Sequence, residues 1–281
     1  MHGNAPGLLN TGKGAAGFFR RGGVVSSTMK KLPIAVALPV TEKYIASGGL
    51  GADIKKVGDG PASYVELRLD YARDVEALDI KVLIGMCRAA NLEPICTCRV
   101  KAKAQGGNYV PRDMASHEAL LKRIIEAKPS LVDVELVNDA SLIDAALQAC
   151  KRHGVGMILS LHDFASTPPA AEVDAMCDLL VQAVAQHPPE RDHIVFKVIF
   201  TAKKAADNAM PLRVIDKLSA TGRGVVSFCM GMEGLISRVA SVIPRAERRA
   251  SGKLTFASLG QQTAPGQIDI DAMAALLDPF F

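Results

Sequence analysis

The chain has 281 residues, 49% of them hydrophobic, which is enough to bury the core of one large domain or two small ones. Its formal charge of +4, from 33 basic and 29 acidic residues, is a small excess that suits an anionic metabolite and does not indicate nucleic-acid binding. No apolar run approaches the roughly 20 residues of a transmembrane helix, so no membrane association is expected.

The first 30 residues differ from the rest of the chain. They are rich in Gly, Ala and Ser and lack helical periodicity. The pair Arg20-Arg21 is followed by a stretch too short and too polar for the apolar core of an export signal. The sequence therefore predicts a disordered extension over residues 1–30, or an upstream start codon with the working start near Met29, followed by one catalytic domain over 31–281.

Six cysteines are scattered along the chain and form no C-x-x-C pair. This spacing is typical of small buried hydrophobic residues in a reducing compartment, whereas a structural zinc site needs closer ligand pairs. The sequence therefore predicts a cytoplasmic protein without a metal.

From Leu32 onward, short apolar runs alternate with longer amphipathic segments. The candidate strands are 34–38, 64–69, 94–98, 131–136, 155–161, 194–200, 224–229 and 254–257. The candidate helices include 79–90, 117–127, 141–153 and 169–186. Eight βα units in about 250 residues predict a single-domain (β/α)8 barrel, the TIM barrel of the α/β class. A doubly wound open sheet is the alternative, but it usually has a glycine-rich loop after its first strand, where this chain reads Pro39-Val40-Thr41-Glu42.

Charged residues lie in or near several candidate strands, where a barrel enzyme builds its active site. Glu66, Arg68 and Asp70 alternate with apolar residues, so the three charges share one face. In a barrel this face points inward, where charges are costly unless they are paired or used. A solvated edge strand would give the same alternation.

The third and fourth strands also end in charges. Arg99 precedes the pair Gly106-Gly107, and a cation beside a Gly-Gly loop suits an anionic or hydroxyl-rich ligand. Asp133 and Glu135 share one face of the fourth strand. These two acids either orient groups in a site or form structural ion pairs, and the sequence leaves both interpretations open.

The fifth and sixth strands carry the residues with the clearest chemistry. His162 follows an apolar run, where its near-neutral pKa suits proton transfer, although a structural role is the alternative. Lys197 lies inside an apolar strand, and a buried lysine can be activated to attack a carbonyl. Its alternative is an ion pair with an inward acid. Arg238, near the start of a later helix, is the expected partner of a substrate carboxylate.

Together these residues resemble the type I 3-dehydroquinate dehydratases from about Leu32 to the C-terminus. The matching motifs are ELRLD at 66–70, CTCR ending at Arg99, LSLHDF at 159–164, FK at 196–197, GMEGLISR at 231–238 and TAPGQ at 263–267. The resemblance implies a (β/α)8 barrel, usually a homodimer, that needs no metal or cofactor. It also implies the elimination of water from 3-dehydroquinate in the shikimate or quinate route.

The resemblance further implies a role for each matching residue. Lys197 forms a Schiff base with the substrate ketone, and His162 removes one proton and returns it to the departing hydroxyl. The substrate-binding residues are Glu66, Arg68 and Arg99 for the ring hydroxyls, and Arg238, Gln267 and Thr263 for the carboxylate.

Two positions depart from the family pattern. Gln105 stands where family members usually have the Glu that hydrogen-bonds the catalytic His, in a loop about two residues longer. Gln can orient an imidazole but cannot stabilise its cation by charge. Thr263 replaces the usual Ser and keeps the hydroxyl. Two alternatives therefore stay open: a catalytically weak homologue that senses a pathway metabolite, and a related Schiff-base lyase acting on another polyhydroxy acid.

Overall fold

The computed structural model describes residues 30–101, 106–187, 194–244, 251–260 and 264–281. Eight parallel strands form one sheet in the order β7-β6-β5-β4-β3-β2-β1-β8. The strands are β1 Leu32–Pro39, β2 Ala62–Arg68, β3 Glu93–Thr97, β4 Leu131–Glu135, β5 Gly156–His162, β6 Ile194–Thr201, β7 Gly224–Met230 and β8 Thr255–Ala257. The backbone amide of Lys253 donates to the carbonyl of Val225 across the remaining seam, so the barrel is nearly closed.

Helices connect the strands. They are α1 Glu42–Ala46, α2 Gly49–Asp59, α3 Ile80–Ala89, α4 Met114–Glu126, α5 Ala140–His153, α6 Ala170–Ala183, α7 Ala209–Ser219, α8 Leu235–Ala240 and α9 Ile270–Leu277. This alternation confirms the predicted (β/α)8 fold. Within the described ranges, the protein contains no helix with the length and apolar character that a membrane crossing requires.

Aspartates fix where several helices begin. The carboxylates of Asp79, Asp113, Asp139 and Asp269 each accept a hydrogen bond from a backbone amide in the first turn of α3, α4, α5 and α9. These amides have no partner inside a helix, so an acid at this position stabilises the helix start by about 1 kcal/mol. The helices are therefore anchored independently of the polar residues at the strand ends.

Strand alternation divides the core into two layers. Residues such as Ile34 and Val36 of β1 belong to the layer between strands and helices, and Ala35 and Ala37 belong to the barrel interior. The interior layer is apolar at Ile95, Ile158 and Val195, nearer the starts of their strands. Further along the strands the interior becomes polar, and this change places a site at the carboxyl end of the barrel.

The predicted extension over residues 1–30 lies outside the described residues, apart from Lys30. The division of the chain into this extension and a catalytic domain stays a prediction.

Candidate active site

Lys197 lies in the middle of β6 with its side chain in the barrel interior. It is 4% exposed, and its Nζ donates to Oδ2 of Asp133 at 2.9 Å. Oε1 of Glu66 is 3.6 Å away, and Nζ also lies 4.7 Å from the ring centroid of Phe256. Two acids and an aromatic ring therefore surround the amine, and Lys197 lines a cavity at the carboxyl ends of the strands.

Asp133 is the acceptor at the centre of this cluster. Besides Lys197, it accepts from Nη2 of Arg99 at 2.9 Å and from Oγ of Ser160 at 2.6 Å. Burial alone would raise the pKa of Asp133, but the cations of Lys197 and Arg99 outweigh burial and lower that pKa. Asp133 is therefore a fixed negative charge beneath the amine.

His162 lies at the end of β5 beside Arg99. Its Nε2 is 3.1 Å from Nη1 of Arg99. Because a guanidinium can only donate, Nε2 accepts this bond and the neutral ring carries its proton on Nδ1. Burial, followed by the cations of Arg99 and Lys197, holds the pKa of His162 well below its usual value. The ring also stacks on Phe164, with centroids 5.8 Å apart. At neutral pH this imidazole is an uncharged base.

Arg68 and Asp70 form a bidentate pair, with Nε–Oδ1 at 2.9 Å and Nη2–Oδ2 at 3.0 Å. The strand prediction extended one residue too far, because β2 ends at Arg68 and Asp70 lies in the following 3-10 turn rather than on the strand face. Asp70 also accepts from the backbone and side-chain amides of Asn108, and Arg68 donates to the carbonyl of Gly106. The pair thereby fixes the loop after β3 beside the cavity.

Arg238 of α8 is fully buried beneath the opposite side of the cavity. Its guanidinium donates long hydrogen bonds of 3.4 Å to the carbonyls of Phe256 and Pro265, and lies 4.3 Å from the ring centroid of Phe228. Within the described parts of the chain, no carboxylate pairs with it. Burial lowers the pKa of Arg238 to about 10. A buried cation without an acid is suited to an anionic ligand.

One cavity joins these groups, with about 500 Å³ of empty space when its opening to solvent is included. Its polar lining consists of Glu66, Arg68, Arg99, His162, Lys197, Arg238 and Gln267, all of which the sequence predicted as site residues. Its apolar lining consists of Phe164, Ile199, Phe228, Met230, Phe256 and Ala264, with Gly106 at the loop. The cavity thus brings together a buried cation without an acid, an amine beside a base, and an apolar wall.

Comparison with known proteins decides the family. The family model of type I 3-dehydroquinase matches residues 37–280. The chain is a type I 3-dehydroquinase family member. It is 30% identical to a 3-dehydroquinate dehydratase of Thermococcus gammatolerans, over 80% of this chain and 91% of that protein. It is 29% identical to that of Pyrobaculum aerophilum, over 80% of this chain and 66% of that protein.

Solved structures agree on the fold. The 3-dehydroquinate dehydratase of Geobacillus kaustophilus superposes with a TM-score of 0.70 at 20% identity, covering 88% of this chain and 90% of that one. The type I enzyme of Clostridium difficile superposes with a TM-score of 0.69 at 22% identity, covering 90% and 93%. At this identity the likeness supports the barrel alone.

The type I 3-dehydroquinase residues predicted from sequence fall into two groups. Seven of them line the cavity, among them Gln267, whose Oε1 accepts from the backbone amide of Ala264 at 3.3 Å. Gln105 and Thr263 lie outside the described residues. The sequence left the role of Asp133 open, and it did not identify the aromatic wall. The inward face shared by Asp133 and Glu135 was the sequence signal for the role of Asp133. No sequence pattern marked the aromatic wall.

Proposed function

We propose that this protein is a 3-dehydroquinate dehydratase, a hydro-lyase that converts 3-dehydroquinate to 3-dehydroshikimate through a Schiff base on Lys197. The observation that carries the proposal is the buried amine of Lys197, which shares one cavity with the neutral imidazole of His162. A buried amine beside an uncharged base is suited to imine formation followed by proton abstraction.

Lys197 attacks the substrate ketone as the neutral amine, and loss of water gives a protonated imine. This cation occupies the place of the ammonium group, between Asp133 at 2.9 Å and Glu66 at 3.6 Å in the free protein. The two carboxylates therefore stabilise the iminium without reorganisation. The iminium in turn makes the neighbouring C–H acidic.

His162 takes the proton from the carbon between the iminium and the carbon that bears the leaving hydroxyl. Its low pKa keeps it unprotonated before this step. Nε2 accepts from Arg99 in the free protein, so the imidazole must leave this contact and turn towards the substrate before Nε2 can act as the base. The resulting imidazolium then donates its proton to the departing hydroxyl. Water finally hydrolyses the imine and frees Lys197.

Substrate binding divides between the two ends of the cavity. Arg238 binds the substrate carboxylate, aided by Gln267 and by Thr263. At the other end, Glu66, Arg68 and Arg99 bind the ring hydroxyls, and Gln105 orients His162. Because Arg68 is already paired with Asp70, its guanidinium is held in place and donates to a substrate hydroxyl from a fixed position.

The assembly and location follow the family expectation. We propose a homodimer that acts in the cytoplasm without a metal or cofactor. All six cysteines are buried free thiols, as suits a reducing compartment.

The test adds 3-dehydroquinate to the purified protein and follows the ultraviolet absorbance of the conjugated enone. Borohydride added with substrate should trap an adduct on Lys197, found by intact mass and peptide mapping, and Lys197→Met should show neither signal. An active protein whose Lys197 stays unlabelled contradicts the Schiff base. Substrate binding without any enone would instead favour a sensor.

A further inference from the structure

Glu135, the last residue of β4, is a buried acid that the proposed reaction does not use. It is 1% exposed and does not line the cavity, because Arg99 stands between them. The charged and titratable groups that act on it are Arg99 and Cys98 beside β3 and Asp133 on its own strand. Its Oε2 accepts from the Nδ2 of Asn138 at 3.3 Å. Asn138 therefore holds Oε2 of the carboxylate, and Oε1 faces Arg99.

Within the described residues, the guanidinium of Arg99 has three side-chain partners. Its Nε lies 3.2 Å from Oε1 of Glu135, its Nη2 donates to Asp133 at 2.9 Å, and its Nη1 donates to Nε2 of His162 at 3.1 Å. Because the guanidinium is planar and rigid, the position of its Nε edge determines where Nη1 points. Glu135 is therefore connected to the base through one rigid group.

We propose that Glu135 is a positioning residue for the reaction: its carboxylate holds the Nε edge of Arg99 and thereby sets the contact between Nη1 and the base nitrogen of His162. The inference rests on the proposed function for the role of His162 as the base, but the geometry at Arg99 is independent of any substrate. Glu135 acts through Arg99 and never touches the reacting atoms.

Glu135 and Arg99 form an ion pair, without a directed hydrogen bond between Nε and Oε1. Nε and Oε1 are fully buried, and neither forms a directed hydrogen bond among the described residues. Such a pair holds Arg99 while Glu135 is ionised and releases it when the acid takes up a proton. Burial raises the pKa of Glu135 to about 7, although Arg99 opposes the rise. The ionic contact is therefore half lost at about pH 7, becomes more complete as the pH rises and disappears as the pH falls.

The first test observes His162 in the free protein, with no substrate. Nitrogen-15 NMR of labelled histidine distinguishes the Nδ1–H tautomer and reports the environment of Nε2. In the wild type the Nε2 resonance should shift with a midpoint near pH 7, as Glu135 releases Arg99. Glu135→Gln carries no charge at any pH and does not titrate, so the Nε2 resonance of this variant should stay constant over the same range. Glu93→Gln, an exposed acid at the start of β3, is the matched control and should behave as wild type.

The second test is the pH profile of kcat/KM. The acid limb of the wild type should lie near pH 7, and in Glu135→Gln it should move to lower pH, to the titration of His162 itself, whose pKa lies well below its usual value. If Glu135→Gln does not fold, Glu135→Asp serves instead. Its charge is kept but its reach is shorter, so the NMR midpoint should persist with a smaller shift.

An NMR midpoint near pH 7 that survives in Glu135→Gln overturns the inference, as does an unchanged acid limb in that variant or an undiminished shift in Glu135→Asp. Because the NMR test needs no turnover, it can succeed in a protein that fails to dehydrate 3-dehydroquinate. Failure of the proposed function is thereby distinguished from failure of this inference.

Discussion

The guanidinium of Arg238 lies 4.3 Å from the ring centroid of Phe228, and within the described residues no carboxylate neutralises it. A cation at 0% exposure destabilises the free protein unless an anion arrives. The unpaired charge therefore lowers the stability of the ligand-free protein and raises its affinity for an anionic ligand. The two effects can be measured separately.

Arg238→Met should raise the free energy of unfolding while weakening substrate binding. The pKa of Arg238 is lowered from 12.5 to about 10, and at about 1.36 kcal/mol per pKa unit the substitution should raise the free energy of unfolding by on the order of 3 kcal/mol. Loss of the charge partner should raise KM, at a cost of about 2–5 kcal/mol in binding. Urea unfolding and steady-state kinetics measure the two effects. An unchanged KM and turnover would remove Arg238 from the site.

Asp133→Asn should destabilise the protein by about 3–5 kcal/mol, because it leaves the buried cations of Lys197 and Arg99 without their shared carboxylate. Adding Lys197→Met should recover part of this loss. Asp133 has a lowered folded-state pKa, so its contribution is present above the ordinary carboxyl pKa and is lost as the pH falls below about 4. Urea unfolding at several pH values checks both effects. Equal acid sensitivity in wild type and variant would contradict the assigned role.

In the Glu135→Gln background, where the titration of His162 itself sets the acid limb, Gln105→Glu should move that limb of the pH–rate profile upward, and turnover should rise or hold. A carboxylate beside His162 would stabilise the imidazolium and raise its pKa, which an amide cannot do. Gln148→Glu adds the same charge on the exposed surface of α5 and should leave the profile unchanged. If the two variants give identical profiles, residue 105 does not contact His162.

Gly106→Ala should lower kcat/KM by about tenfold or more, since small displacements of positioning groups can cost up to 100-fold. Gly106 has φ of +66°, and an added Cβ would lie 2.5 Å from Cζ of Phe164, the ring that stacks on His162. Gly154→Ala is the matched control, because φ there is +67° with no atom in the way. Both should lose about 1–2 kcal/mol of stability to backbone strain. An equal loss of activity in both would show that the Phe164 contact is irrelevant.

The barrel was predictable because its signal is repeated. Each predicted strand overlaps the observed one, with ends differing by at most two residues, since buried parallel strands appear as apolar runs between amphipathic segments. The charged residues that line the cavity were predictable for a related reason. A charge inside such a run has to be used or paired.

The remaining features depend on distances that no local pattern encodes. Phe228 and Phe256 look like any other apolar strand residues, because a ring that lines a cavity and a ring that fills a core have the same composition and alternation. The central position of Asp133 required the registration of β4 against β6 through β5. The isolation of Arg238 from acids is likewise a property of the assembled barrel.

The rings of Phe228 and Phe256 connect the two cations that line the cavity. Phe256 contacts Nζ of Lys197 through its ring and Arg238 through its carbonyl, and Phe228 packs between Phe256 and the guanidinium. Because Phe256 contacts both cations, the distance between them depends on the position of β8. We therefore expect a keto acid whose carboxylate and carbonyl are separated by a different distance to bind more weakly.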